Sequence, residues 1–291
     1  MNHNTIKAGQ FTAFERYLRS EERVSGTIEK YLRDIRGFSA WLGGRPVDKE
    51  NCAGWKEHLQ TTGLCPETVN TKLSALNKFL KFLGRDSCRV KYLRVQRRLF
   101  RGTEKELSKA DYSRLLETAR SQGRERLALL METICATGIR VSEVRYITAE
   151  AVKAGRAEIS LKGKIRTILI PGKLCRKLQK YAKKQKIVSG EIFLTRNGKG
   201  LSRRQIWAEM KSVCGKAGVA GTKVFPHNLR HLFARAFYRV SRDVVKLADV
   251  LGHSCVETTR IYLLSTGAEH IRQLDRLGLI SWGGTITKFA Y

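Results

Sequence analysis

Between Phe11 and Leu83 the apolar positions recur at helical spacing. Phe11, Phe14 and Leu18 form one run and Ile28, Tyr31, Leu32, Ile35 and Phe38 a second; Trp55 and Leu59 mark a sparser third, and Val69, Leu73, Leu76, Leu80 and Leu83 a fourth. A stripe of that period lies on one side of a helix, so the pattern predicts four short helices sharing a core. Gly43-Gly44 and Pro46 separate the second helix from the third. Pro66 suits the first turn of the fourth, where a proline gives up no hydrogen bond.

From residue 85 to 105 the periodicity fades, and eight Lys or Arg stand against two acids. A basic stretch without its own core reads as a connector. Leu107-Ser108-Lys109-Ala110-Asp111 then predicts a capping box opening a helix, with Leu107 as its hydrophobic staple. Helical spacing continues through Leu115, Leu116, Leu127, Leu130 and Ile134. The period then changes: Ala157–Leu161 and Arg166–Ile170 are rich in β-formers, and Lys162-Gly163-Lys164-Ile165 joins them, which predicts a hairpin. Helices follow over Leu174–Ala182, Arg203–Cys214, Leu232–Val240, Val244–Leu251 and Ala268–Leu277. The expected fold is mainly α with a small antiparallel β-sheet, organised as a helical domain over 1–84, a basic linker over 85–105, and a larger domain with a C-terminal tail over 106–291.

A hydrophobic content of 42% in 291 residues is enough to fill two cores. The longest apolar run, Leu127 to Ile139, is interrupted by Glu132 and falls short of the roughly 18 residues of a membrane span. The N-terminus lacks the hydrophobic stretch of a signal peptide, so the expectation is a soluble, cytoplasmic protein. Seven scattered cysteines without a CxxC pair argue against a disulfide framework and a zinc site, and most are expected to be small core residues.

Charge changes the picture most. Lys plus Arg number 56 against 26 Asp plus Glu, a formal net charge of +30. An excess of that size repels itself unless a polyanion is present, and a nucleic-acid backbone supplies one. Basic residues run through both halves, unlike the single amphipathic segment of a membrane-surface protein, so no membrane partner is expected. On the fourth helix Lys72, Lys78 and Lys81 interleave with the apolar stripe, and Arg97 and Arg98 lie in the linker; these are the candidate phosphate contacts.

The chemistry gathers in the second half. Arg140 stands in Ala136-Thr137-Gly138-Ile139-Arg140-Val141-Ser142-Glu143, His227 and Arg230 in Pro226-His227-Asn228-Leu229-Arg230-His231, His253 in Leu251-Gly252-His253-Ser254, and Tyr262 in Thr259-Arg260-Ile261-Tyr262. Attack on a phosphodiester without water needs a nucleophile, cations for the non-bridging oxygens, and an acid for the departing sugar oxygen. A phenol can be that nucleophile, and guanidinium forks match two phosphate oxygens at once.

In order and spacing these motifs resemble the tyrosine recombinases, the phage-integrase and Xer-type site-specific DNA recombinases. The Thr-Gly-Ile-Arg-Val-Ser-Glu stretch matches the family's first arginine motif and Leu-Gly-His-Ser its second histidine motif. Tyr262 falls nine residues beyond His253, the family's interval. Leu232 departs from the threonine that often follows Leu-Arg-His, a packing change. The likeness is strong from about Ala136 to Leu264 and weaker in the helical N-terminal half.

The resemblance implies a four-helix, SAM-like core-binding domain followed by a recombinase catalytic domain. It makes Tyr262 the nucleophile, leaving a 3′-phosphotyrosine and a free 5′-hydroxyl, with Arg140, Arg230 and His253 stabilising the pentacoordinate phosphorus. Lys162 becomes the general acid, with Lys164 two residues away as the alternative. His227 assists as base or hydrogen-bond partner, and Glu143 braces the cations. No cofactor and no metal are expected, because two arginines supply the charge and the phosphotyrosine keeps the bond energy; a P-loop is absent from the sequence. The implied partners are double-stranded DNA and further copies of the chain, four around two DNA sites, held in part by the apolar C-terminal segment. The implied roles include DNA integration, excision and Xer-type resolution. A type IB topoisomerase and a catalytically silent DNA-binding protein of the same fold are the alternatives.

Overall fold

The computed structural model describes residues 5–95, 106–161, 164–263 and 267–279. The chain divides into two units, Met1–Arg97 and Arg98–Tyr291.

The first unit carries the four expected helices: α1 (Ala8–Ser20), α2 (Ser25–Leu42), α3 (Lys49–Thr61) and α4 (Pro66–Phe82). Pro66 occupies the first turn of α4, and the Asp48 carboxylate caps α3 by accepting the Asn51 N–H at 2.8 Å. The sparse third stripe is real, since Cys52, Trp55 and Leu59 are all buried. Phe14 of α1 meets Phe79 of α4 edge-on at 5.0 Å, and Trp41 of α2 meets Trp55 of α3 at 5.4 Å, so two aromatic clusters hold the helices. The start of the basic segment packs on this unit. Asn77 accepts the Val90 N–H at 3.0 Å and donates to the Val90 carbonyl at 2.9 Å; Asn70 does the same for Leu93 at 2.8 and 2.9 Å. Val90 lies in the core.

Lys72 and Lys78 are engaged within the unit. Lys72 pairs with buried Asp34 at 3.3 Å. Lys78 pairs with Glu21 at 2.6 Å and sits 5.1 Å from the Tyr17 ring centroid. Lys81 is exposed.

The second unit opens with the expected capping box: the Ser108 hydroxyl accepts the Asp111 N–H and the Asp111 carboxylate accepts the Ser108 N–H, starting α5 (Lys109–Ser121). Leu107 is buried beside it. Helix α6 (Glu125–Thr137) is buried on most of its circumference, which accounts for the long apolar run. A 3-10 helix (Val141–Tyr146) and α7 (Ala149–Ala154) lead into an antiparallel pair, β1 (Arg156–Leu161) and β2 (Lys164–Leu169). The hairpin is tighter than the pattern suggested. Leu161 pairs with Lys164 and Ser160 with Ile165, so only two residues join the strands.

After α8 (Gly172–Lys184) and α9 (Arg203–Lys211) comes α10 (Pro226–Ser241), which starts six residues ahead of the apolar stripe at Leu232. Its first turns bury Asn228 and Arg230 as well as Leu229, a mixture that hides the helical period. Helices α11 (Val244–Leu251), α12 (Val256–Arg260) and α13 (Gly267–Asp275) complete the unit. The main core is centred on α6. A smaller cluster of Ala234, Leu247, Leu251 and Tyr262 joins α10, α11 and the turn after α12.

Of the seven cysteines, all free, Cys52, Cys175 and Cys214 are buried, Cys88 and Cys135 half-buried, and Cys65 and Cys255 exposed. The expectation that most fill the core thus holds for three. No helix among the described residues is long and apolar enough to cross a membrane.

Candidate active site

Two glycines aim the site. Gly138 caps α6 in the left-handed conformation at φ 64°, where an added Cβ would also collide with the Phe233 ring. The chain then extends, and Arg140 heads the 3-10 helix. Gly252 caps α11 at φ 63°, and a Cβ there would strike the Arg166 side chain. His253 follows at once. The motifs Thr-Gly-Ile-Arg and Leu-Gly-His therefore describe the same device, a helix stopped by glycine so that the next side chains turn inward.

Glu143 is 2% exposed and binds Arg140 twice. Oε2 accepts the Arg140 backbone N–H at 2.7 Å, and Oε1 pairs with Nη1 at 3.0 Å. Oε2 also pairs with Nη2 of Arg166, from β2. Arg166 Nη1 donates to the Val250 carbonyl at 3.0 Å.

Arg230, also 2% exposed, lies in the second turn of α10. Its fork donates to the carbonyls of Gly138 and Leu251, the latter at 2.8 Å, and Nη2 stands 3.0 Å from His253 Nε2. Among the described residues no carboxylate pairs with it. A guanidinium only donates, so His253 Nε2 accepts and its proton sits on Nδ1, which donates to the Thr259 hydroxyl at 2.8 Å. Tyr262 is buried at 5% exposure. Its ring stacks on His253 with centroids 5.7 Å apart and receives the edge of His231 at 4.3 Å. His227, exposed, stands 6.0 Å from it.

Titration follows from crowding. Burial pulls the His253 pKa down to about 4, with Arg230, Arg140, Arg166 and His227 adding to the effect. Desolvation of the ring by the atoms packed on one side of it, then the charges of Arg230 and Arg140, lowers that of His227 although the residue is exposed overall. Burial and Arg140 also disfavour the charge on Arg230, and the Tyr262 phenol opposes them. Both imidazoles are therefore neutral near pH 7 beside cations whose charge burial disfavours, an arrangement in which an anion would be welcome.

The structure thus gathers Arg140, Glu143, His227, Arg230, His253 and Tyr262. Lys162 lies outside the described residues, as do Arg97, Arg98 and the tail beyond residue 279. Three participants were missed. Arg166 shares the inward register of β2 with buried Ile168, and an arginine on the core face of a strand was the signal. Thr259 and His231 stand inside the quoted stretches Thr259–Tyr262 and Pro226–His231, but as neither cation nor nucleophile they received no role from the sequence. A groove of 440 Å³ also leads from His227 and Pro226 past Val141 to Arg203, Arg204 and half-exposed Trp207 at the start of α9. No group of three or more His, Cys, Asp or Glu among the described residues is placed to hold a metal ion.

Comparison with known proteins adds to this geometry. Residues 105–269 match the model of the phage integrase family, and residues 11–87 that of the phage integrase N-terminal SAM-like domain. The tyrosine recombinase XerA of Thermococcus kodakarensis is 30% identical over 270 residues, covering 89% of this chain and 92% of its own. XerA of Pyrococcus furiosus is 27% identical over 291 residues, covering 96% and 98%. Among solved structures, a lambda integrase(75-356) dimer bound to a COC' core site superimposes with a TM-score of 0.70 at 16% identity, covering 88% of this chain and 94% of that one. The XerH recombinase bound to difH substrate in a pre-cleavage complex gives 0.65 at 18%, covering 94% and 90%. At these identities the two structures establish a shared fold.

Proposed function

The chain belongs to the phage integrase family and is a site-specific DNA recombinase of the tyrosine class, and on that premise we propose how its own residues break and rejoin a strand. The Tyr262 oxygen attacks the scissile phosphorus; the bond to the 5′-oxygen breaks as the phosphotyrosine bond forms. The phenol proton passes toward His227, whose lowered pKa leaves it neutral and able to accept. Lys162 protonates the departing 5′-oxygen, with Lys164 as the alternative. Arg140 and Arg230 hold the non-bridging oxygens, and His253 joins them. When Arg230 turns to the same anion, exchange of the Nδ1 proton with solvent for one on Nε2 gives the other neutral tautomer, in which Nε2–H donates to the phosphate and the Thr259 hydroxyl donates to Nδ1 in place of accepting from it. Glu143 braces Arg140. Attack by a free 5′-hydroxyl on the phosphotyrosine runs the same steps backward and seals the new junction.

One observation carries this reading: a fully buried guanidinium, Arg230, balanced by carbonyls, an imidazole and the Tyr262 phenol, with no carboxylate on it among the described residues. A buried cation of that kind is costly unless an anion completes it.

The partner is double-stranded DNA, which the excess of basic residues attracts. Lys81, Arg97 and Arg98 are the backbone contacts, and Lys72 and Lys78 join them only by leaving their acids. Four copies assemble on two DNA sites, with the C-terminal segment docking on a neighbour. Exposed Ile271, Leu274, Leu277 and Leu279 support that docking. The protein acts in the cytoplasm.

The test is a nicked duplex from which the cleaved strand diffuses away. Wild type accumulates a covalent protein–DNA adduct. Tyr262→Phe loses one oxygen and no charge, so it binds the duplex with wild-type affinity and forms none; adduct in that variant would remove Tyr262 from the role.

A further inference from the structure

We propose that Arg166 is a positioning residue of strand cleavage, one that keeps Glu143 from cancelling the charge of Arg140 and ties Arg140 to the end of α11 that carries His253. The proposal rests on the reading of Arg140 and His253 as phosphate ligands.

The first support is register. On β2 the side chains of Ile165, Thr167 and Leu169 are exposed while Ile168 is buried, so Arg166 is a charged residue on the face of the strand that turns inward. Its side chain is 14% exposed. An arginine there loses hydration, and burial disfavours its charge even though Glu143 opposes the shift.

The second support is what the fork joins. Nη2 pairs with Glu143 and Nη1 donates to the Val250 carbonyl near the end of α11. Glu143 in turn holds both the backbone N–H and the guanidinium of Arg140. Gly252, between Val250 and His253, leaves the passage through which Arg166 reaches these partners. The Arg166 Nε is buried without a hydrogen-bond partner, so the two anchors, and not full satisfaction of the side chain, decide where the fork lies.

The third support is charge. Glu143 carries one negative charge against Arg140. A pair of that composition is neutral and gives little to a phosphorane. Adding Arg166 makes the trio a net cation, and Arg230 adds a second. Remove Arg166, and Glu143 both neutralises Arg140 and is free to draw it away from the substrate.

Single-turnover cleavage of the nicked duplex tests this, with a normal scissile phosphate and with a methylphosphonate that lacks the charge on one non-bridging oxygen. Arg166→Gln should slow cleavage of the phosphate by roughly 10–100-fold, the scale of losing an outer partner of a reacting group, without changing DNA affinity. Two readouts separate positioning from packing. The loss should shrink on the neutral methylphosphonate in parallel with that of Arg140→Ala, and Glu143→Gln added to Arg166→Gln should recover rate, because it removes the carboxylate charge that Arg166 opposes. Equal losses on both substrates, or a double variant slower than either single one, would overturn the proposal. If Arg166→Gln does not fold, Arg166→Lys, which keeps the charge but cannot span both anchors, replaces it in the methylphosphonate comparison with the same two outcomes. An Arg140→Ala defect that does not shrink on the neutral substrate would overturn the phosphate-clamp reading itself, and this proposal with it.

Discussion

Asp34 in the first unit and Arg230 in the second are both buried charges, 4% and 2% exposed, and their surroundings treat them in opposite ways. Asp34 meets an ammonium at 3.3 Å and a guanidinium at 3.6 Å. Its neighbour in kind, Asn77, satisfies both of its polar ends on Val90. That network is closed in charge, since the buried carboxylate meets cations and Asn77 pairs at both ends, and its effect is to hold helices and chain together. Among the described residues Arg230 has hydrogen-bond acceptors but no counter-ion, and Arg140 and Arg166 crowd the same space with one carboxylate between them. That network is open. Its imbalance is a cost to folding, and on the proposed reading the scissile phosphate is the anion that offsets it.

The sharpest way to break this contrast is to remove the open charge. Arg230→Met keeps the length and apolar volume of the side chain while deleting the cation. Cleavage should fall by at least ~10²–10³-fold, the scale of one preorganised charge stabiliser, while the thermal midpoint stays within a few degrees of wild type, because an unbalanced buried ion adds little to stability. Loss of folding together with activity would make Arg230 a structural ion and erase the distinction.

The closed network should respond in the opposite sense. Asn77→Ala strands the N–H and the carbonyl of Val90 inside the core. The cost should be about 2–3 kcal/mol of stability, at the unsatisfied-group scale of about 1–3 kcal/mol each, read as a drop in denaturant midpoint. Protein that remains folded should cleave the nicked duplex at the wild-type rate. A chemical defect larger than the folding defect would show that the first unit reaches the reaction.

How far the sequence could be read differs between the two networks for the same reason. The four helices of the first unit were legible because their cores repeat at helical spacing, and even α3, with only Cys52, Trp55 and Leu59 inside, kept its period. In the second unit the recognised motifs led to Arg140, His227, Arg230, His253 and Tyr262 through their order along the chain. The hairpin was legible as two β-rich runs, but its two-residue turn was not, since Ile165 and Leu169, 80% and 76% exposed, are apolar residues on an outward face and blur the alternation. Arg166 was hidden among 56 basic residues, and its burial depends on Glu143 and Val250, far away in sequence. The early start of α10 was hidden because its first turns bury Asn228 and Arg230 beside core residue Leu229, which breaks the apolar period. Local period reports what a segment buries; it does not report which charges the fold brings together.

Acid should separate the two units by pH. In the catalytic unit His253 is held down to about 4, first by burial and then by the arginines, against an ordinary value of 6.5. Between pH 6.5 and 4 the unfolded chain takes up a proton that the folded chain refuses. Stability is thus complete above 6.5 and falls as the pH drops, by at most on the order of 1 kcal/mol per unit; His227 shifts in the same direction. In the first unit Glu21 is held down to about 2 by its hydrogen bonds from Lys78 and Tyr17, so its contribution is present above 4.5 and is lost only as the pH falls from there toward 2. Thermal melts between pH 7.5 and 5 should show the decline, and His253→Gln should flatten it. An unchanged slope in that variant would assign the titration elsewhere.

The smallest effect divides the lysines of α4. Lys78 is already bound, with its ammonium on Glu21 at 2.6 Å and over the Tyr17 ring. Lys81, one turn on, is exposed. A phosphate backbone collects cations that have no better partner, and each one engaged releases about one counterion. Lys81→Gln should therefore leave the melting curve in place, weaken duplex binding a few-fold, and lower the slope of log K against log salt by about 1. Lys78→Gln should do the reverse, leaving the slope intact and lowering stability, because the Glu21 carboxylate, whose Oε2 is buried without a hydrogen-bond partner, then loses its main counter-ion. A reduced slope in Lys78→Gln would mean that DNA draws this lysine off Glu21, and that the first unit's network opens on binding as the catalytic one closes.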